Sequence, residues 1–219
     1  MNIIKILHLP KTGGTVLKST LVKNYKKHNS RYLQSTIDNV YFCNHNEIHK
    51  NDHCKYIFIV RDPIERFISH YNYFKHGTKY DTSKYYAGPR LHKHLVSTDI
   101  NNFVLNSDEN KMKKFLSLHK NLGELTKNVT EETKNIIMVG TLESLEDDFD
   151  TMQTLLNVKV KKKLSTEYTN KRPKNIVIDE LSDKSKEKLK KILKDEYLAI
   201  EKLVRLGYLS EDYLDKINQ

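Results

Sequence analysis

The sequence predicts an α/β fold: a central parallel sheet flanked by helices. Three observations lead there. Short β-prone runs alternate with stretches of helical periodicity, the order that builds parallel sheets covered on both faces. One run, Tyr56 to Val60, is almost continuously apolar, as a strand buried on both faces must be. Two of the runs pass through a tight turn straight into a helix start, each with a cation beside the turn.

The first strand is expected over residues 3–7, where Ile3, Ile4, Ile6 and Leu7 lie close together. Pro10 breaks it, and Gly13-Gly14 let the backbone turn sharply and approach a ligand closely. A helix follows over 14–25, with Thr15 as its cap and Leu17, Leu21 and Tyr25 on its inner face. A glycine turn feeding a helix N-terminus is a phosphate site, because backbone N–H groups point outward there and the helix dipole favours negative charge. Lys11 precedes the glycines, whereas the nucleotide loop G-x-x-x-x-G-K-[ST] has its Lys after them. With no evident strand ending in a metal-binding Asp, this argues against a magnesium-dependent nucleoside triphosphatase.

Residues 40–43 form a short strand closing in a polar turn. After the apolar strand 56–60, Asp62-Pro63-Ile64-Glu65 reads as N-cap, N1, N2 and N3 of a helix over 63–75. Ile64, Phe67, Ile68 and Tyr71 make its buried stripe. Arg61 stands at the strand's carboxyl end, where open α/β sheets bind ligands. Ser69 lies opposite the stripe, able to donate to an anion. The plainer alternatives are an ion pair of Arg61 with Asp62 or Glu65, and a solvated Ser69 hydroxyl. Further on, residues 76–97 are irregular, and helices are expected over 101–106 and 112–118. A strand over 136–139, a helix over 145–156 and one long helix over 182–206 complete the chain. No repeat or linker interrupts it, so residues 1–219 are expected to form one domain.

The 219 residues carry a net charge of +10, which makes an anionic partner plausible. Lysine-rich stretches at 159–163 and 184–194 contribute, the second as the solvated face of a helix with Leu181, Leu189, Ile192 and Leu193 turned inward. No basic motif is interleaved with aromatics, so nucleic acid is not an expected partner. Two cysteines argue against a disulfide framework. Cys43, His45, His49, His53 and Cys54 raise a zinc reading, but C-x-x-C is absent and Asn44, Asn46, Asn51 and Asp52 disfavour the helix that would align the histidines. No metal is expected. The opening apolar stretch is too short for a signal peptide or membrane anchor, so a soluble, cytoplasmic protein is expected.

P-K-T-G-G-T after a strand, followed by I-V-R-D-P-x-x-R-x-x-S, resembles the 5′-phosphosulfate loop and 3′-phosphate motif of PAPS-dependent sulfotransferases. The nearest branch is the carbohydrate O-sulfotransferases of the heparan sulfate 2-O and 6-O type. Ile136 to Glu143, followed by Leu145, Phe149, Met152, Leu155 and Leu156, is similar to that family's late strand, V-G-x-x-E turn and amphipathic helix. Asn170-Lys171-Arg172-Pro173 falls where the family has a basic loop closing over the nucleotide.

The resemblance implies a P-loop-type domain that moves a sulfuryl group from PAPS to a hydroxyl, a glycan first among acceptors and anionic glycans included, releasing 3′,5′-ADP. It assigns Lys11, Thr12, Gly13, Gly14 and Thr15 to the 5′ side. Arg61 and Ser69 go to the 3′-phosphate, and Lys171 and Arg172 to the closing loop. The chemistry agrees: a cation on the leaving phosphate oxygen, charge-assisted bonds to the separate phosphate, and a base for the acceptor hydroxyl are the three requirements. His45 matches the family's base, with a suitable unperturbed pKa near 6.5; His49 and Glu47 are the alternatives. His8 resembles a packing and hydrogen-bonding residue of the first strand. The stretch 76–97 reads equally as an acceptor-facing lid, with Tyr80, Tyr85, Tyr86, Lys79, Arg90 and Lys93 toward a sugar, or as a surface loop. Two other functions stay open: a nucleotide or metabolite kinase of related fold, and a non-catalytic nucleotide- or polyanion-binding module.

Overall fold

The computed structural model describes residues 3–22, 32–44, 48, 53–76, 97–116, 121–165 and 180–218. Strands β1 (Ile4–His8), β2 (Tyr32–Gln34), β3 (Val40–Asn44), β4 (Lys55–Val60) and β5 (Ile136–Thr141) form one sheet in the order β2-β3-β1-β4-β5. Four are mutually parallel, and β2 runs antiparallel along the edge of β3. His8 pairs with Asn44, Leu7 with Phe58 and Val60 with Thr141, so the carboxyl ends of the parallel strands share one edge. From β1 the chain pairs first on one side, as β3, and then on the other, as β4. Strand order therefore reverses at β1, the switch point at which α/β sheets open a crevice for ligands.

Among the described residues the helices are α1 (Gly14–Leu21), α2 (Pro63–His76), α3 (Ile100–Asn106), α4 (Glu109–Leu116), α5 (Leu122–Thr126), α6 (Leu145–Leu155), α7 (Asp183–Ile192), α8 (Lys194–Arg205) and α9 (Glu211–Asn218). Side chains alternate across β4, as the period of two demands. Ile57 and Ile59 pack with Leu17 and Leu21 of α1 and with Phe149 and Met152 of α6. Tyr56, Phe58 and Val60 pack on the other face with α5, with Ala199, Ile200 and Leu203 of α8, and with Tyr213 and Ile217 of α9. A third cluster joins Phe67 and Tyr71 of α2 to Phe103 of α3, Phe115 of α4 and Leu189 and Leu193 at the end of α7. The parallel sheet, the double burial of β4 and the stripe of α2 are thus as expected.

Several boundaries differ from expectation. The cap of α1 is Gly13 with no side-chain bond, rather than Thr15, and the helix stops at Leu21 because Val22 turns extended; Tyr25 lies outside the described residues. The expected helix over 182–206 is two helices meeting at Leu193. One straight stripe cannot serve two cores, and here Leu189 and Leu193 fill the third cluster while Ala199, Ile200 and Leu203 fill the face of the sheet. The joint falls between them. Leu155, one of the apolar residues of the expected amphipathic helix, is 45% exposed, and Phe149, Met152 and Leu156 do the packing. The elements β2, α5 and α9 had no sequence forecast.

Just past that joint, Glu196 receives two bonds from Arg66 of α2, one from Nε to Oε2 at 3.1 Å and one from Nη2 to Oε1. Both residues are buried. The pair ties the helix that follows Arg61 to the helix covering the sheet. Breaking a buried pair strands the remaining charge. Glu196→Gln is expected to lower unfolding free energy by about 3–5 kcal/mol, and Arg66→Met with Glu196→Leu by clearly less; urea denaturation of both variants checks the contrast.

Candidate active site

At the end of β1 the chain passes Leu9 and Pro10 into a turn in which Lys11 has φ +69° and Gly13 φ +81°. The glycine adopts this left-handed conformation without the strain that a side chain adds. Thr12 is buried and its Oγ1 donates to the Leu9 carbonyl at 2.8 Å, so that hydroxyl closes the turn instead of facing outward. Gly14 begins α1 directly against His8: a Cβ there would stand 1.8 Å from the imidazole Cδ2. The first amides of α1, including that of Thr15, lack intrahelical acceptors and are available at the edge. His8 is a hydrogen-bonding residue, as expected, and its partner is Lys18. Lys18 Nζ donates to His8 Nδ1 at 3.1 Å, and burial lowers the Lys18 pKa to about 8.

Arg61 leaves β4 beside this turn. Its Nη1 donates to the Lys11 carbonyl at 3.4 Å, and its Nη2 pairs with Glu65 at 3.1 Å. The ion pair with Glu65 therefore exists, together with the contact to the first loop. Arg61 Nε is buried with no hydrogen-bond partner. Asp62 caps α2 as expected, accepting from the Glu65 amide at 2.7 Å. Burial nonetheless raises its pKa.

Glu65, Ser69 and Tyr73 follow on successive turns along one face of α2. Glu65 touches Arg61, and the Lys11 ammonium lies 3.3 Å from the centroid of the Tyr73 ring. Half-buried Ser69 lies between Glu65 and Tyr73 on that face of the helix. Burial, and then the nearby Arg61 guanidinium, lower the Lys11 pKa to about 7. Lys11, Arg61 and Ser69 are thus brought to one sheet edge, with two cations whose mutual repulsion an anion would relieve.

The third resembling segment closes the same edge. Gly140 permits close approach of α6, since a Cβ there would meet Ile59 at 2.7 Å and the Asp148 carboxylate at 2.9 Å. Asp148 Oδ2 accepts from the Thr141 amide at 2.6 Å, fixing the end of β5. After α6, Lys162 of the lysine-rich stretch is tied to α6 and α1, while Lys159, Lys161 and Lys163 are exposed. The Gln153 side chain bonds both backbone groups of Lys162, and Lys162 Nζ donates to Thr36 Oγ1 at 2.9 Å. The Ser165 amide donates to Thr20 Oγ1 at 2.9 Å. Lys171 and Arg172, just beyond, lie outside the described residues. So do His45, Glu47 and His49, which follow β3 after Asn44, and the possible lid at 77–96. Cys43 and Cys54 are buried and not joined in a disulfide.

The family model for sulfotransferases matches residues 2–206. The chain belongs to the sulfotransferase family. Comparison with curated proteins returns no match. The matched span runs from β1 through α8, and α9 lies beyond it. Sulfuryl transfer is therefore the activity of this sulfotransferase, and its strand–turn–helix start agrees with the P-loop-like fold of the family. Among the described residues no helix is long and apolar enough to cross a membrane.

Sequence reasoning did not find Tyr73 or Lys18. Tyr73 was within reach, one helical turn beyond Ser69; nothing in the sequence signalled that Lys18 would bond His8. The two depressed lysines fix a sign for pH dependence. Below about pH 7 both stay charged in folded and unfolded chain alike. As pH rises toward 9 the folded chain releases these protons first, so the unfolded chain holds more and stability rises. Lys18→Met should flatten the part of that rise above pH 8, measured as denaturant midpoints at pH 7, 8 and 9.

Proposed function

We propose that this sulfotransferase takes its sulfuryl group from PAPS and delivers it to a carbohydrate hydroxyl, releasing 3′,5′-ADP. One observation carries the donor assignment: Arg61 is bonded to the carbonyl of Lys11, and the Lys11 ammonium rests on α2 one turn past Ser69. The groups suited to a 5′-phosphosulfate and to a separate 3′-phosphate therefore stand at one edge. Arg61 Nε, buried without a partner, adds a donor suited to an anionic oxygen.

In this reading the acceptor oxygen attacks sulfur in line while the bond from sulfur to the bridging phosphate oxygen breaks. Lys11 and the first amides of α1 stabilise the charge growing on that oxygen. His45 takes the acceptor proton. The histidine's position after β3, whose last residue pairs with His8 at the end of β1, supports that role. Lys171 and Arg172 would close over the nucleotide. The resemblance to the heparan sulfate 2-O and 6-O enzymes and the net charge of +10 favour an anionic glycan as acceptor.

Calorimetry with two nucleotides tests the donor site. Ser69→Ala and Arg61→Ala are expected to weaken 3′,5′-ADP while leaving 5′-AMP nearly unchanged. Loss of a charge-assisted bond costs about 1.5–3 kcal/mol, or roughly tenfold to a hundredfold in affinity. Equal weakening of both nucleotides would make the pair structural and remove the assignment to the 3′-phosphate.

Turnover tests the mechanism. His45→Ala should lower kcat by about 10²–10⁴ with unchanged affinity for 3′,5′-ADP. Transfer from PAPS should survive EDTA, because Lys11 and backbone amides do the work of a metal. Near-normal turnover in the variant would pass the base to His49 or Glu47, and strict metal dependence would sink the mechanism.

A further inference from the structure

We propose that Tyr73 is a positioning residue for Lys11: the face of its ring holds the lysine ammonium, charged and inside the site, until an anion enters beside Arg61. This deepens the donor-site reading and rests on it. The geometry is specific. Lys11 Nζ lies 3.3 Å from the ring centroid, the separation of direct ammonium–π contact. Lys11 has a left-handed backbone, and its own carbonyl accepts from Arg61, so both ends of the residue are fixed by α2 and the strand before it.

The ring answers a particular difficulty. Burial and the Arg61 guanidinium both favour the neutral amine. Glu65, on the same face of α2 as Tyr73, is engaged by Arg61. A carboxylate against Lys11 would keep it charged but would also repel the phosphates and sulfate that the site has to admit. The quadrupole of an aromatic ring supports the ammonium and carries no net charge. Tyr73 also stands one turn beyond Ser69. Lys11 is therefore held close to the anion site, and an entering anion can draw it off the ring.

The test needs no ligand at first. The pH dependence of Lys11 acylation by an amine-selective reagent, followed by peptide mass spectrometry, reports how readily the ammonium loses its proton. The midpoint is expected near pH 7 in the wild type and in Tyr73→Phe, which keeps the ring. In Tyr73→Leu it should fall by about half a pH unit or more. A trifluorinated phenylalanine at position 73 keeps the shape but weakens the quadrupole, and should shift the midpoint the same way even where the leucine variant folds poorly. Unchanged or higher midpoints in these two variants overturn the proposal.

Binding of 3′,5′-ADP supplies the second readout. At pH 6 Lys11 is charged in every variant, so affinities should be similar. At pH 8 the leucine variant should bind about threefold or more weakly, following its smaller charged fraction. A loss that is equal at both pH values would assign Tyr73 to packing alone. If the wild type bound no 3′,5′-ADP at either pH, the donor reading would fall, while the acylation midpoints would still decide the role of Tyr73.

Discussion

The parallel pairing of β1 with β4 sets the geometry on which the site depends. Leu7 opposite Phe58 brings the end of one strand, with its glycine turn, alongside the end of the other, with Arg61. Each strand is buried on both faces, Ile6 and Ile57 toward α1 and α6, Leu7 and Phe58 toward α8 and α9. A slip of one residue would exchange the two faces of a strand at once. Sheet register and site geometry are therefore the same constraint. The core that fixes one fixes the distance between Lys11 and Arg61.

That arrangement carries an electrostatic cost. Two cations are gathered at a partly buried edge, and one carboxylate, Glu65, reaches one of them. Among the described residues no ion pair joins Lys11 to an acid. Lys11 instead holds a depressed pKa and an aromatic ring. Beneath the loop, Lys18 donates to the imidazole of His8. The nearby acids are directed elsewhere: Asp62 caps α2, Asp148 holds the end of β5 and Glu196 is held by Arg66.

Much of this was legible in the sequence because the signals were local. The Pro-Lys-Thr-Gly-Gly turn, the Asp62 cap, the stripe of α2 and the apolar run of β4 each depend on residues within a few positions of one another, and each appears as read. What depended on partners far along the chain was not. The break at Leu193 reflects two cores served by one amphipathic stretch, which helical periodicity alone cannot register. The edge strand β2 is three residues long, too short for a pattern to emerge. The caps of α5 and α9 were visible in hindsight, since Asn121 accepts from the Glu124 amide and Ser210 from the Tyr213 amide.

The last helix shows how support for the site extends beyond the family match. Residues 207–218 lie outside the matched span, yet Tyr213 and Ile217 of α9 are buried in the cluster that contains Val60. Val60 is the residue immediately before Arg61. The Tyr213 hydroxyl is buried as well, and its pKa is pushed up by burial first and then by Glu143 and Asp62. Two turns of helix thus back the strand that presents Arg61, and set a neutral phenol near the acids that flank it. A protonated tyrosine adds no charge to an edge whose chemistry depends on a surplus of cations. Aromatic groups thus stand close to Lys11 and to the residue before Arg61, Tyr73 against the lysine ammonium and Tyr213 in the cluster with Val60.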